Sequence, residues 1–362
     1  MQITITLKYF KHNPLMLLIL ALPVAFMARY TGWSSIWVFV LSTIGIVPMA
    51  GLIGKATEAL AIYTGPKIGG LLNATLGNAA ELIITLVAIK EGYLELVKAS
   101  ITGSIIGNIL LVLGVAMIAG GVKHGVQKFD QKQAGHHAVL MTLAVLALVI
   151  PSFFSHSIGD ENSLRVEALS LGVAVIMILL YVLGLFYSLK IANSPVTYLS
   201  QPVEAHQPEF SKRNAILLLT AATVAVVFLS EMLVGAIEDV VVTFGISEFF
   251  LGIILIPIVG NAAEHFVAVQ VAARNKMDLS VEIAISSSLQ IALFVAPMLV
   301  FISLFMGHPL TLIFNTFELM ALGAGVLVTI MVSADGESNW IEGTTMVAVY
   351  IILAMAFFLM KA

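Results

Sequence analysis

Long apolar runs, separated by short polar segments, extend over almost the whole chain. A helix needs about 20 mostly apolar residues to cross the hydrocarbon core of a bilayer. Lipid offers no partner for unsatisfied backbone groups, so runs of this length are predicted to be helices. The pattern predicts an all-α polytopic membrane protein with about eleven transmembrane helices. The predicted spans are 14–30, 34–62, 69–90, 96–120, 134–154, 166–189, 214–240, 246–272, 280–306, 309–333 and 342–361.

The composition supports a chain that is embedded in lipid. Hydrophobic residues make up 60% of the 362 positions and charged residues 10%, and the mean hydropathy is +1.05. A soluble domain carries about 25% charged residues, so this chain has too few to cover a water-facing surface. The lipid bilayer is therefore an expected partner, and nucleic acid is not, because no dense basic tract is present. Cysteine is absent, which excludes disulfides and thiolate metal sites.

The prolines indicate a linker within the chain, and the distribution of basic residues indicates its orientation in the membrane. The longest polar segment, 190–213, contains Pro195, Pro202 and Pro208 and is predicted to be a linker loop. Lys and Arg are more numerous at the helix ends that lie inside when the N-terminus is cytoplasmic, which predicts a C-terminus outside. The basic residues before the apolar run at 15–28 resemble a signal peptide, but no small-x-small cleavage site follows, so a retained first helix is expected.

One segment occurs twice. Gly-Asn-Ala-Ala-Glu at 77–81 recurs at 260–264, and the same offset pairs Ser104 with Ser287. The two copies lie on the third and eighth predicted spans, which are five positions apart, so they cross the membrane in opposite directions, as in inverted-repeat transporters. The predicted organisation is one N-terminal transmembrane helix and two inverted five-helix repeats joined by the linker. The predicted units are 1–33, 34–189, 190–213 and 214–362.

The repeated segment places one glutamate in each half inside the membrane. An intramembrane carboxylate costs about 2.5–3.5 kcal/mol on insertion scales, and such residues are functional by default. Glu81 and Glu264 occupy equivalent positions and should converge on one site, where the pair needs either a divalent cation or protons. Protons and a cation then compete for the same two carboxylates, so that loading one expels the other. Both glutamates are therefore predicted to bind the cation and to couple it to protons.

The residues around each glutamate supply further oxygen atoms. Ca²⁺ takes about 6–8 oxygen ligands with flexible geometry, and the absence of thiols and clustered histidines argues against Zn²⁺ or Cu⁺. Glycine and proline near each motif predict local unwinding, which would expose backbone carbonyl groups as further ligands. The predicted metal ligands besides the two glutamates are Asn78, Asn261, Ser104, Ser287 and Gln290, with Asn108 in the polar lining.

The two motifs, with Gly-Ser at 103–104 and Ser-Ser-Ser-Leu-Gln-Ile-Ala at 286–292, resemble the calcium/proton exchanger family (CAX type) of the calcium:cation antiporter superfamily. This resemblance implies eleven helices, alternating access, and Glu81 and Glu264 as shared ligands of Ca²⁺ and H⁺. Ca²⁺ would be the transported substrate, no cofactor is expected, and the protein would be an antiporter, not an enzyme. The short N-terminus is similar to prokaryotic members, so a prokaryotic plasma membrane is expected. A homo-oligomer is left open.

Four more polar residues in apolar spans are candidates for gating or a proton relay: Glu58, Glu231, Glu318 and His265. Each has a structural alternative, since Glu58 could pair with Lys55 one turn away and His265 could be a packing histidine. His136 and His137 are expected to be solvated at a membrane boundary.

Other classes of function remain open. A Na⁺-coupled Ca²⁺ exchanger would show Ca²⁺ flux driven by Na⁺ and indifferent to a proton gradient. A cation channel would conduct passively. A membrane-embedded metalloenzyme would need a nucleophile or a histidine-rich site, which the sequence does not show.

Overall fold

The computed structural model describes residues 14–160, 163–190 and 208–360. Helices dominate it, and a 3₁₀ segment, Pro14–Leu20, precedes the first. Most of the predicted linker, 191–207, lies outside the described residues. The α-helices are α1 Ala21–Tyr30, α2 Ser35–Leu76, α3 Ala79–Lys90, α4 Leu94–Ile106, α5 Leu113–His124, α6 Gln131–Ile158, α7 Leu164–Lys190, α8 Lys212–Val234, α9 Ile237–Phe244, α10 Glu248–Phe250, α11 Ile256–Gly260, α12 Ala262–Ala272, α13 Met277–Gln290, α14 Ala296–Phe305, α15 Thr316–Ser333 and α16 Trp340–Leu359.

Several of these helices join into spans that are long and apolar enough to cross a membrane. Within the described residues there are 8 such spans, and the bent pair 248–272 raises the number to 9. The first predicted span forms only a short apolar helix, Met16–Tyr30. The third, 69–90, is divided between the end of α2 and all of α3. The all-α membrane architecture is confirmed, whereas the number of about eleven helices stays a prediction.

Two central spans form the core of the molecule. In the α4–α5 span, Leu94–His124, 72% of the most apolar 18-residue stretch is buried. In the α13–α14 span, Met277–Phe305, 67% of the corresponding stretch is buried. Only 22% of the α16 window is buried. Large apolar side chains such as Leu183 and Ile352 are exposed on the outer helices. Because a lipid-facing surface is apolar, this is the distribution expected of a helical bundle whose outer helices face lipid.

The helices that carry the repeated motif are broken at the motif itself. α2 ends at Leu76 and α3 begins at Ala79, while α11 ends at Gly260 and α12 begins at Ala262. The second break bends the span by 61°. The local unwinding predicted from glycine and proline is confirmed at both motifs. Each break leaves helix ends in the interior of the bundle, where they face polar side chains.

The structure also contains three π-helical turns, Gly107–Val112, Leu251–Leu255 and Ile291–Val295, the second of which lies in the bent span 248–272. A π turn inserts one residue and changes which side chains face the interior, and such turns are frequent at functional sites. The turns at 107–112 and 291–295 directly follow α4 and α13, the helices of Ser104 and Ser287. The two halves thus share this irregularity at equivalent positions.

The predicted span 309–333 begins too early, because α15 starts only at Thr316. The preceding segment is extended but buried, and its backbone N–H groups are satisfied by serine hydroxyls of three helices. Leu310 donates to Ser303 at 2.8 Å, Leu312 to Ser170 at 3.0 Å and Phe314 to Ser152 at 2.9 Å. Irregular backbone is tolerated inside a membrane protein when protein groups satisfy it in this way.

A short antiparallel ladder connects the two halves at one end of the bundle. Gln127 pairs with Ser338 and Lys128 with Glu337, and the last two side chains form an ion pair at 3.0 Å. The apolar pattern did not predict these strands, because each contains only two residues.

Candidate cation site

The two motif glutamates lie in the first turns of α3 and α12, directly after the helix breaks. The motif glycines show that the breaks meet. A Cβ atom at Gly260 would lie 2.6 Å from Cγ of Glu81, and one at Gly77 would lie 3.6 Å from Oε1 of Glu264. Each glycine therefore faces the glutamate of the other motif, and at Gly260 only a residue without a side chain allows this approach. The two motif breaks, and with them Glu81 and Glu264, therefore lie next to each other, and a shared site for one cation stays a prediction.

Glu81 is held by donors from both halves of the chain. Its side chain is 3% exposed, and Oε1 accepts hydrogen bonds from the Ser104 hydroxyl and from the Asn261 amide. Among the described residues, its Oε2 atom has no hydrogen-bond partner. Leaving a buried carboxylate oxygen unpaired is costly, so Oε2 is the atom of this site best placed to take a cation or a proton.

Glu264 is half-buried and has fewer donors. The Ser287 hydroxyl donates to its Oε2 at 2.8 Å. Asn78, the counterpart of Asn261, donates to Oε1 of Gln290 at 2.8 Å. The structure thus brings all seven predicted ligand residues together, although it arranges the two halves differently.

Asn108 and His265 extend this network on the Glu264 side. The Asn108 amide donates to Oγ of Ser287 at 3.1 Å, and its Oδ1 lies 3.0 Å from Nε2 of His265. His265 is therefore linked to the candidate site through Asn108, and a gating or relay role for it stays a prediction.

The chemistry of the site is that of an oxygen-ligand cation site. Two carboxylates, three amides and two hydroxyls line it, which are the neutral and anionic oxygen donors that Ca²⁺ prefers. Within the described part of the chain, no group of three or more His, Asp or Glu residues is arranged to hold a metal. A cation at this place would therefore need amide and hydroxyl oxygens as well as the two glutamates.

Glu318 is fully buried but lies in a different place. It forms a capping box with Asn315 at the start of α15, and its Oε1 accepts from Thr102 of α4 at 3.2 Å. Lys98, one turn before Thr102, is buried and pairs with Glu95. Glu318 thus ties α15 to the central helix α4.

The other two gating candidates lie on exposed faces. Glu231 of α8 forms an ion pair with Lys90 at 3.6 Å, and both side chains are largely exposed. Glu58 is exposed on α2. Lys55 is the residue that the sequence spacing predicted as a partner of Glu58. Its Nζ atom lies 3.6 Å from Oε2 of Glu209. A gating or relay role for Glu58, Glu231 or Glu318 stays a prediction.

The expectation that His137 is solvated is wrong, although His136 is exposed. His137 is buried on α6, with Nε2 3.8 Å from Oε2 of Glu282 on α13, and Gln133 also donates to Glu282. Sequence reasoning missed Glu282, which lies within the predicted span 280–306. The signal was the one used for Glu318, a lone acid inside an apolar run.

Comparison with known proteins places the chain in a family. The model of the sodium/calcium exchanger protein family matches residues 34–190 and 214–359. The chain is 41% identical over 358 residues to a Ca²⁺/H⁺ antiporter of Aphanothece halophytica, covering 94% of this chain and 95% of that one. It is 45% identical over 343 residues to the Ca²⁺/H⁺ antiporter ChaA of Bacillus subtilis (strain 168), covering 93% and 96%.

A solved structure agrees with these matches. The structure of native YfkE superposes with a TM-score of 0.84 at 42% identity, covering 96% of this chain and 100% of that one. The chain therefore belongs to the sodium/calcium exchanger protein family, which is a family of membrane transporters. The resemblance indicated by the two motifs is confirmed.

Proposed function

We propose that this protein is a secondary antiporter that exchanges Ca²⁺ for H⁺ at the site of Glu81 and Glu264. One observation carries the proposal: the two helix breaks bring both glutamates into a single oxygen-lined site inside the bundle. The relatives at 41% and 45% identity are named Ca²⁺/H⁺ antiporters, which supports the choice of ions.

Competition at this one site accounts for exchange. Ca²⁺ binds the ionised carboxylates of Glu81 and Glu264 together with the oxygen atoms of Asn78, Asn261, Ser104, Ser287 and Gln290. Protons neutralise the same carboxylates and remove the charge that holds the cation. An unloaded site would leave two ionised carboxylates in the membrane interior, which is unfavourable. The site therefore changes sides with either Ca²⁺ or protons bound.

Alternating access would come from two inverted five-helix repeats, 34–189 and 214–362, preceded by an N-terminal helix at 1–33. The family model matches the chain twice, with nearly the same limits, and this supports the division. The equivalent π turns after α4 and α13 support it as well. In this proposal the chain crosses a prokaryotic plasma membrane eleven times. Its N-terminus is cytoplasmic and its C-terminus lies outside. A homo-oligomer is compatible with this arrangement.

The decisive experiment is ⁴⁵Ca²⁺ uptake into Na⁺-free proteoliposomes with an imposed pH gradient. Uptake by the wild-type protein should follow the gradient, and Glu81→Gln and Glu264→Gln should each abolish it. Glu337→Gln is the matched control, because this glutamate forms only a surface ion pair, with 45% of its side chain exposed. Uptake that ignores the pH gradient but follows Na⁺ would replace the proposal with a Na⁺-coupled exchanger. Passive Ca²⁺ flux without countertransport would indicate a channel.

A further inference from the structure

Glu282 is a buried carboxyl group that the proposed exchange site does not use. It lies in the second turn of α13, and 6% of the residue is exposed. Gln133 of α6 donates a hydrogen bond to its Oε2 atom. Within the part of the chain that the structure describes, its Oε1 atom has no hydrogen-bond partner. An ionised carboxylate in such surroundings is costly unless a positive charge or a proton compensates it.

The imidazole ring of His137 on α6 faces this carboxyl group. His137 is 1% exposed, and its Nε2 atom lies 3.8 Å from Oε2 of Glu282. This distance is too long for a hydrogen bond, but it is short enough for a protonated ring and a carboxylate to attract each other. The pair is neutral overall when it carries one proton, either on the carboxyl group or on the ring. Without that proton, a single negative charge remains between α6 and α13.

Charged side chains on the neighbouring elements at this end of the bundle are exposed to solvent. They include His136 on α6, Asp278 on α13, Lys123 and His124 on α5, Lys128 on the first short strand and Asp335 after α15. Water and salt screen an exposed charge, so these groups contribute little to the compensation of a buried carboxylate.

Titratable groups in the interior of the neighbouring helices contact other parts of the fold. Glu318 of α15 accepts a hydrogen bond from Thr102, and Lys98 of α4 pairs with Glu95. The remaining contacts are those of Tyr181 of α7 with Phe294, His265 of α12 with Asn108 and Glu264 of α12 with Ser287. His137 is therefore the group placed to compensate Glu282.

We propose that Glu282 and His137 form a proton-binding site separate from the candidate cation site, and that the pair carries one proton at neutral pH. The proton adds to a carboxylate oxygen of Glu282 or to Nε2 of His137, and no other covalent bond changes. Gln133 is half-buried and lies one turn nearer the start of α6, so this end is the route from solvent. Under the proposed orientation it is the cytoplasmic end. The inference goes beyond the proposed exchange, because this proton does not compete with Ca²⁺ for a ligand.

The site makes the contact between α6 and α13 dependent on pH. In an unfolded chain, glutamate and histidine release their protons at about pH 4.3 and 6.5. Above about pH 6.5 the folded protein therefore holds one proton more than the unfolded chain, so its stability falls as the pH rises. The helix affected is α13, which also carries the predicted ligands Ser287 and Gln290.

Thermal unfolding of the purified full-length protein in detergent, at several pH values above about 6.5, tests the proposal. Glu282→Gln keeps the shape of the side chain and needs no proton. Relative to this variant, the equilibrium constant for unfolding of the wild-type protein should rise about tenfold for each pH unit, as expected for one linked proton. Asp278→Asn is the matched control on the same helix, because Asp278 is exposed, and it should keep the wild-type pH dependence. A difference between wild type and Glu282→Gln that is the same at every pH would overturn the proposal.

Infrared spectroscopy gives a second measurement. In His137→Gln only the carboxyl group of the pair can hold the proton. This variant should therefore show, at neutral pH, a protonated carboxyl band that is lost when Glu282→Gln is added. An ionised Glu282 in His137→Gln at neutral pH would contradict the proposal. Glu282→Leu replaces the glutamine variant in both measurements if glutamine prevents folding. Neither measurement requires Ca²⁺ or transport, so failure here is distinct from a failure of pH-driven Ca²⁺ uptake.

Discussion

The two halves of the candidate cation site have the same five-residue motif but not the same environment. Glu81 is buried and accepts two hydrogen bonds, one of them from Asn261 of the opposite half. Glu264 is half-buried and accepts one, from Ser287, while the equivalent amide of Asn78 turns to Gln290. The difference arises outside the motif, because the counterpart of Gln290 in the first half is Gly107. Sequence identity in a repeat therefore does not imply equivalent chemistry.

This difference has a functional meaning if access alternates. Glu264 is the more exposed of the two residues and, under the proposed mechanism, would receive an ion from solution first in this conformation. Glu81 and its two donors would form the closed side of the site. Under the proposed mechanism, the opposite conformation would reverse the exposure of the two glutamates.

The largest effect is expected from the glutamates themselves. Glu81→Gln and Glu264→Gln should each reduce pH-driven ⁴⁵Ca²⁺ uptake to the level of empty liposomes, because either change removes half of the charge that binds Ca²⁺. Glu81→Asp and Glu264→Asp compare the two glutamates directly, because each variant keeps the charge but shortens the side chain. Glu81→Asp should be the more harmful, since it draws the carboxylate away from two donors instead of one. Equal effects of the two aspartates would contradict the asymmetry.

A smaller effect is expected from the paired amides. Asn261→Ala removes a donor to a carboxylate, which contributes about 1.5–3 kcal/mol, and should raise the KM for Ca²⁺ by about ten- to a hundredfold. Asn78→Ala removes an amide–amide bond, which contributes about 0.5–1.5 kcal/mol, and should raise KM only a few-fold. The measurement is the Ca²⁺ dependence of initial uptake. A larger effect at Asn78 would show that the other half dominates binding.

The two halves can also be compared at the start of α6 and α15, which form the fourth predicted span of each half. In the second half Glu318 of α15 bonds to Thr102 of α4, and in the first half Gln133 of α6 bonds to Glu282 of α13. Glu318→Leu and Glu282→Leu should each destabilise the fold by about 1–3 kcal/mol, because they leave buried partners unpaired. Glu318→Gln and Glu282→Gln are the matched controls. Thermal unfolding in detergent measures the difference, and unchanged Tm values for both leucine variants would contradict these ties.

The smallest effect is expected at the exposed ion pair of Lys90 and Glu231. Surface pairs contribute about 0–1 kcal/mol, so Glu231→Gln should leave Tm nearly unchanged and alter uptake less than twofold. A strong loss of uptake without a change in Tm would instead support the gating role that the sequence suggested. Lys90→Gln serves as the matched variant of its partner.

The sequence alone was enough to predict the membrane class, the helix breaks at the motifs and the two central glutamates. Each of these follows from local information: apolar runs of membrane length, glycine and proline within them, and a five-residue segment that occurs twice. The proposed ligand residues could also be selected from the sequence, since they lie on the same helical faces or at equivalent positions in the two halves.

Tertiary structure decided which partners these residues take. Nothing near Asn78 in the chain indicates that it bonds to Gln290, and nothing near His137 indicates that Glu282 covers it. The late start of α15 likewise depends on serines of three other helices. Hydropathy and periodicity describe a residue and its neighbours along the chain. Burial and hydrogen bonding of polar side chains are set by helices that pack from distant parts of the sequence, so the asymmetry of the site could be seen only in the fold.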